Sequence, residues 1–235
     1  MAHVYDFSSD KIDIFELLID SSGSMEDEEM NVKKGLNAYR KSFENFPEAN
    51  SIAVSVSRFN GELHLGEFRR IREINTSYSA HGSTALYYSI YEAAKRLKNY
   101  IAEVTKRTGC IPKATFILFS DGVPYDDRMR FEDAKNVIEM LNYAGITTVF
   151  VAFGNAITSE FGKKLGFMST IDATKGETLV NFLGVELSKS CKEQSKSLKG
   201  LGANFFSKAA NDKNSEGYSH TTAQALEDDS WINDI

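Results

Sequence analysis

Two cysteines, Cys110 and Cys191, stand in 235 residues, far apart and in no metal-ligand spacing. No thiolate metal site follows from them, and of one disulfide or two reduced thiols the thiols are the expectation. No basic run exceeds a dipeptide and the net charge is -6, which argues against a surface that tracks nucleic-acid phosphates. No apolar run approaches the ~20 residues of a membrane span. The start, "MAHVYDFSSDKID", lacks a basic n-region and an apolar h-region, so no signal peptide is expected. A soluble, cytoplasmic protein follows as the expectation, with no membrane partner. Repeats of solenoid length are absent too.

What is there is an ordinary globular balance, 42% hydrophobic and 26% charged, enough for one domain with a substantial core. Short apolar runs alternate with longer helical patterns, the signature of an α/β domain with a mostly parallel sheet. Residues 13–20 ("DIFELLID") read as a strand buried on both faces. A helical stripe of Val32, Leu36, Tyr39 and Phe43 follows, with Ser24 as N-cap and Asp27 completing a capping box. Residues 51–59 alternate as a second strand, and Asn60-Gly61 predicts a type I′ hairpin into an edge strand over 62–70. Further strands are expected at 113–121, 147–154 and 168–173, and helices near 84–107, 127–143, 158–165 and 176–197. Residues 1–12 read as a lead, 13–198 as the domain, and the Gly-, Asn- and Ser-rich 199–235 as a loosely ordered tail ending in "EDDSWINDI".

Right-handed crossovers constrain the sheet order to 3-2-1-4-5-6, a doubly wound sheet of six strands with strand 3 antiparallel at its edge. The winding reverses between strands one and four, and such a switch point opens a crevice at the carboxyl ends. Asp20 ends one of these strands and Asp121 the other. Ser22 and Ser24 lie just beyond Asp20, and Thr84, in the loop "AHGSTAL", reaches the same crevice. Two carboxylates and three hydroxyls make an all-oxygen cluster, the donor set of a hard divalent cation: Mg²⁺ first, with Mn²⁺ or Ca²⁺ as alternatives.

The pattern Asp20-x-Ser22-x-Ser24, then Thr84, then Asp121-Gly122, resembles the metal-ion-dependent adhesion site of von Willebrand factor type A domains. The resemblance covers about residues 13–198, departs at none of the five positions, and implies the doubly wound fold argued above. It implies that Ser22, Ser24 and Thr84 sit on the metal directly or nearly so, with Asp20 and Asp121 often acting through water. In outline the chain is also similar to stand-alone bacterial members, including those grouped with tellurium and stress resistance. The function implied is a protein-interaction module, gripping a partner's Asp or Glu through the cation.

Other residues carry two readings each. Glu26 to Glu29 complement a helix N-terminus as a solvated face, or Asp27 and Glu28 among them form a second cation site. His81 is a polar loop histidine, or a base or ligand. Tyr87 and Tyr88 line the crevice or pack in the core. The acidic tail solubilises, or an acid near Trp231 (Asp228, Asp229 or Asp234) docks on a metal of its own or a neighbouring molecule, giving self-association. Glu16, mid-strand in an apolar run, requires a partner that the sequence does not name.

The competing function is a metal-dependent phosphoryl-transfer or hydrolytic enzyme. A phosphatase of the haloacid-dehalogenase type needs a second acid two residues after Asp20, where Ser22 stands. No G-x-S-x-G elbow, dinucleotide fingerprint or phosphate loop occurs. With no credible nucleophile or base beside the metal, binding is expected and turnover is not.

Overall fold

A computed structural model of the chain describes residues 11–122, 124–125, 128–153, 158–173, 176–197, 199–206 and 218–222. All eight residues of β1 (Asp13–Asp20) are buried. A strand with no exposed face must lie inside a covered sheet, and β1 is flanked in parallel by β2 (Ile52–Phe59) and β5 (Lys113–Ser120). Beyond β5 come β6 (Thr147–Phe153) and β7 (Ser169–Ala173), also parallel. Two short pieces, β3 (Leu63–His64) and β4 (Arg69–Arg70), pair antiparallel with β2, and β8 (Tyr218–Thr222) pairs antiparallel with β7. The sheet order is β3-β2-β1-β5-β6-β7-β8, with β4 also on β2. The expected order therefore stands, with one strand added at the far edge.

Alternation along β1 divides the core in two. Phe15, Leu17 and Ile19 face one layer, formed by α1 (Glu29–Ser42), α5 (Glu177–Asn181) and α6 (Leu187–Lys196). A π-helical turn, Phe182–Glu186, joins the last two. Here α1 comes so close that a Cβ on Gly35 would lie 2.8 Å from Leu183 Cβ. Ile14 and Leu18 face the other layer, formed by α2 (Leu86–Thr108), α3 (Phe131–Tyr143) and α4 (Ser159–Lys164). The stripe Val32, Leu36, Tyr39 and Phe43 is buried as the helical period requires. No helix among the described residues is long and apolar enough to cross a membrane.

Glu16 occupies the position on β1 between Ile14 and Leu18, wholly buried, and its partner is Arg96 of α2. Ser57 Oγ donates to Glu16 Oε1 at 2.5 Å and Ser55 Oγ at 3.3 Å. Burial pushes the Glu16 carboxyl above its ordinary range, against the pull of Arg96 and the two hydroxyls.

Three local expectations are corrected. The 62–70 segment is two pieces because Gly66 crosses directly over Val56: a Cβ there would collide with the Val56 carbonyl. Gly66 is held by side chains in place of a ladder, its N–H donating to Ser57 Oγ (3.1 Å) and its carbonyl accepting from Ser55 Oγ (3.1 Å) and Arg96. The Asn60-Gly61 turn is not type I′, since among the described residues no non-glycine has positive φ and Gly61 has none either. Phe59 pairs with Leu63 across a three-residue loop, closed by Glu62 N–H donating to the Asn60 side chain at 2.9 Å. Third, Ser24 makes no cap bond: residues 23–28 form a 3₁₀ turn and α1 begins only at Glu29.

The sequence reading begins the tail at residue 199. In the structure Phe205 and Phe206 pack into the core beside Phe15 and Phe182, and β8 covers β7. An isolated Phe-Phe pair has no periodicity to announce it.

Candidate metal centre

The switch between β1 and β5 places the end of one strand beside the end of the other, Ile19 pairing with Phe119. Asp20 and Asp121 emerge one and two residues later, both buried. Asp20 is fixed at both carboxylate oxygens: Ser22 N–H donates to Oδ1 at 2.9 Å and Ser120 Oγ to Oδ2 at 2.6 Å. Ser24 Oγ donates to Asp121 Oδ1 at 2.7 Å and lies 3.1 Å from Ser22 Oγ. Burial raises the Asp20 carboxyl above its ordinary range, and the nearby Asp121 charge adds to that, while the bonds from Ser120 and Ser22 oppose it.

Gly122 measures the convergence of these groups. A Cβ built there would lie 3.4 Å from Thr84 Oγ1, 3.6 Å from Ser24 Oγ and 3.7 Å from Asp20 Oδ2. Oxygens from two separate loops thus surround one point on a third that a methyl group would fill. All five predicted residues meet in this cluster, Ser22 and Asp121 through Ser24. Among the described residues no three Asp, Glu, His or Cys side chains gather as a metal centre. The cluster here has only two carboxylates, its remaining oxygens being hydroxyls. That donor set suits a hard cation that retains some of its waters.

The loops that carry these oxygens are bonded to one another through their backbones. Gly23 N–H donates to Gly82 O (2.9 Å), His81 N–H to Ser21 O (2.8 Å), Tyr125 N–H to Thr84 O (2.9 Å) and Ala85 N–H to Asn60 O (2.6 Å). Gly82 takes φ +81°, which a side chain would resist, and so lets its carbonyl meet Gly23.

Other predicted residues fall outside the cluster. His81 is exposed on the rim. Asp27 is exposed, whereas Glu28 turns inward and accepts from Asn31 Nδ2 (2.9 Å) and Gly176 N–H (3.0 Å). Tyr87 packs edge-on against Phe131, and Tyr88 lies under the Arg128 guanidinium, 4.2 Å from ring centroid to Cζ. Asp228, Asp229, Trp231 and Asp234 lie outside the described residues.

Three supporting residues escaped the sequence reading. Ser120 holds Asp20, Tyr78 donates its hydroxyl to the Asp20 backbone carbonyl, and Glu29 Oε1 accepts from Ala80 N–H at 2.7 Å. Ser120 was within reach of register alone, since extending the Ile19–Phe119 pairing by one residue puts it beside Asp20. Nothing in the sequence marks Tyr78.

The model of the von Willebrand factor type A domain matches residues 15–179. Among solved structures, the pilus adhesin SpaC of Lactobacillus rhamnosus GG superposes with a TM-score of 0.62 at 12% identity, covering 80% of this chain and 31% of its own. Proximal thread matrix protein 1 of the mussel byssus, solved with a zinc-occupied metal-ion-dependent adhesion site, gives 0.52 at 14% identity, covering 77% and 46%. The ArnB paralog VWA2 of Sulfolobus acidocaldarius gives 0.51 at 17%, covering 75% and 44%. This chain spans less than half of each, and at such identities the likeness is one of fold. No curated protein matches the chain.

Proposed function

The chain belongs to the von Willebrand factor type A family, and from that premise we propose that it is a metal-dependent protein-interaction module whose site is Asp20, Ser22, Ser24, Thr84 and Asp121. The observation that carries the reading is the Gly122 cradle, three oxygens from two loops within 3.7 Å of one point on a third. In this reading the hydroxyls of Ser22, Ser24 and Thr84 are direct ligands. Asp20 and Asp121 already accept hydrogen bonds from Ser120, Ser22 and Ser24, so they act mainly by holding metal-bound water. A bound Mg²⁺ or Mn²⁺ would supply an electrophilic position for an incoming carboxylate. The chain's own part is to hold hydroxyls that add no negative charge, so that the site stays attractive to a partner's Asp or Glu. Residues 13–198 are the proposed module and 199–235 an appended segment.

Binding in place of turnover is supported by the neighbourhood, where the described rim offers one exposed histidine, His81, and the Ser24 and Ser120 hydroxyls donate to Asp121 and Asp20. Calorimetric titration with Mg²⁺ and Mn²⁺ tests the site: the wild-type chain should bind one ion, and Thr84→Ala or Asp121→Asn should weaken it about tenfold or more. Unchanged affinity in both variants would refute the assignment. Metal-dependent hydrolysis of generic phosphate or ester substrates, lost in the same variants, would overturn the binding reading while keeping the metal.

A further inference from the structure

Between α2 and α3, on the outer face of the domain, lies a groove of about 450 Å³. Its floor is apolar, formed by Tyr91, Val137 and Met140, and its α2 wall carries Lys95 and Lys98. Among the described residues neither lysine pairs with an acid; Lys98 Nζ approaches Met140 Sδ at 3.7 Å. The acid on the opposite wall, Asp133, is neutralised by Arg130, accepting from its Nε at 3.3 Å and its backbone N–H at 3.0 Å. In a chain of net charge -6, this is a local concentration of positive charge over an apolar floor. It fits a segment with acids at one end and a large apolar side chain at the other.

This chain contains such a segment, Glu227-Asp228-Asp229-Ser230-Trp231-Ile232. The topology delivers it nearby. Because β8 runs antiparallel to β7, Thr222 pairs with Ser169, the first residue of β7, and the chain leaves the sheet at the end away from the metal cluster. From β8 to β5 is three strand spacings, about 15 Å. Adding at right angles one helix layer, about 10 Å, and about half the height of an eight-residue strand, about 13 Å, because Tyr91 to Asn99 lie in the half of α2 nearer Thr84, puts the groove roughly 22 Å away. Six extended residues reach about 20 Å and nine about 30 Å, so the stretch from Asp228 to Trp231 is long enough to span to the groove. The chain's own metal cluster is farther, because the height of an eight-residue strand, about 26 Å, must also be climbed. Asp228 and Asp229 fall short of it.

We propose that residues 227–232 dock in the α2–α3 groove of their own chain, the acids on Lys95 and Lys98 and the Trp231 ring on Tyr91, Val137 and Met140. The docking needs no metal and stands apart from the proposed binding function. Trp231 is the one tryptophan in the sequence, so its fluorescence reports the segment directly. In the full chain its emission should be blue-shifted from that of N-acetyltryptophanamide, with acrylamide quenching reduced several-fold. Lys95→Glu/Lys98→Glu should restore free-indole values with an unchanged far-UV circular dichroism spectrum, and adding Asp228→Lys/Asp229→Lys should return the protection. Wild-type quenching equal to that of the free indole overturns the proposal, as does protection that survives the lysine reversals. Protection that grows with protein concentration assigns the occupant to a second copy, and protection abolished by EDTA assigns the segment to the metal cluster; either result overturns docking within one chain.

Discussion

Gly122 lacks a side chain where one would fit sterically but not chemically. An added methyl meets the three oxygens at 3.4 to 3.7 Å, ordinary contact distances, so the fold should accept it. The space it occupies is the space a cation would need. Gly122→Ala is therefore expected to leave stability within about 1 kcal/mol and to lower Mg²⁺ affinity about tenfold or more, read by thermal denaturation and calorimetry. A second prediction concerns Glu16. Removing Arg96 strands a fully buried carboxylate, so Arg96→Ala should cost about 3–5 kcal/mol at pH 8. Burial already raises the Glu16 carboxyl, and losing the guanidinium raises it further. A carboxyl raised in the folded state must give up its proton on unfolding, so stability falls as pH climbs from the ordinary glutamate range to the folded value. Acidification from pH 8 to pH 5 should thus recover part of the loss in urea denaturation, and Glu16→Gln in the Arg96→Ala background should abolish that pH dependence.

Elements follow their sequence wherever burial on one face sets a period, and depart from it where single side chains intervene. The helical stripe of α1 and the apolar run of β1 were legible for that reason. The edge was not, because the 62–70 pattern carries strand alternation while Gly66 is drawn onto the sheet by Ser55, Ser57 and Arg96, groups scattered across two other elements. Ser24 illustrates the same limit. Its position after a strand and before a helix suits a cap, yet its hydroxyl turns to Asp121, 97 residues away. Gly66→Ala should force the 65–68 segment off β2 and cost about 1–3 kcal/mol, measured by thermal denaturation; an unchanged midpoint would show that the crossing is not required.

For the whole molecule, the readable quantity was topology. Crossover handedness and strand count located the reversal between β1 and β5, and with it the meeting of Asp20 and Asp121. What topology could not supply was the bracing around them, because Tyr78 and Glu29 reach the site from loops and helix starts with no pattern of their own. The meeting also has an energetic consequence: two buried carboxylates lie close together, and a divalent ion would stabilise the fold that assembles them. At a hundredfold excess over the dissociation constant, binding contributes about 2.7 kcal/mol. For a chain of this size that is a rise of roughly 5–10 °C in Tm on adding Mg²⁺, cut to about half or less in Asp121→Asn.

The backbone bonds that tie residues 21–23, 60, 81–85 and 125 together carry a lesson about how such a surface can change. Loops at the end of a sheet ordinarily tolerate altered length, but here each is stitched to its neighbour through main-chain atoms. An inserted residue would unpick several stitches at once and scatter the oxygens they align. New recognition on this scaffold must therefore come by exchanging protruding side chains such as Tyr125 or His81 on a frame of constant length.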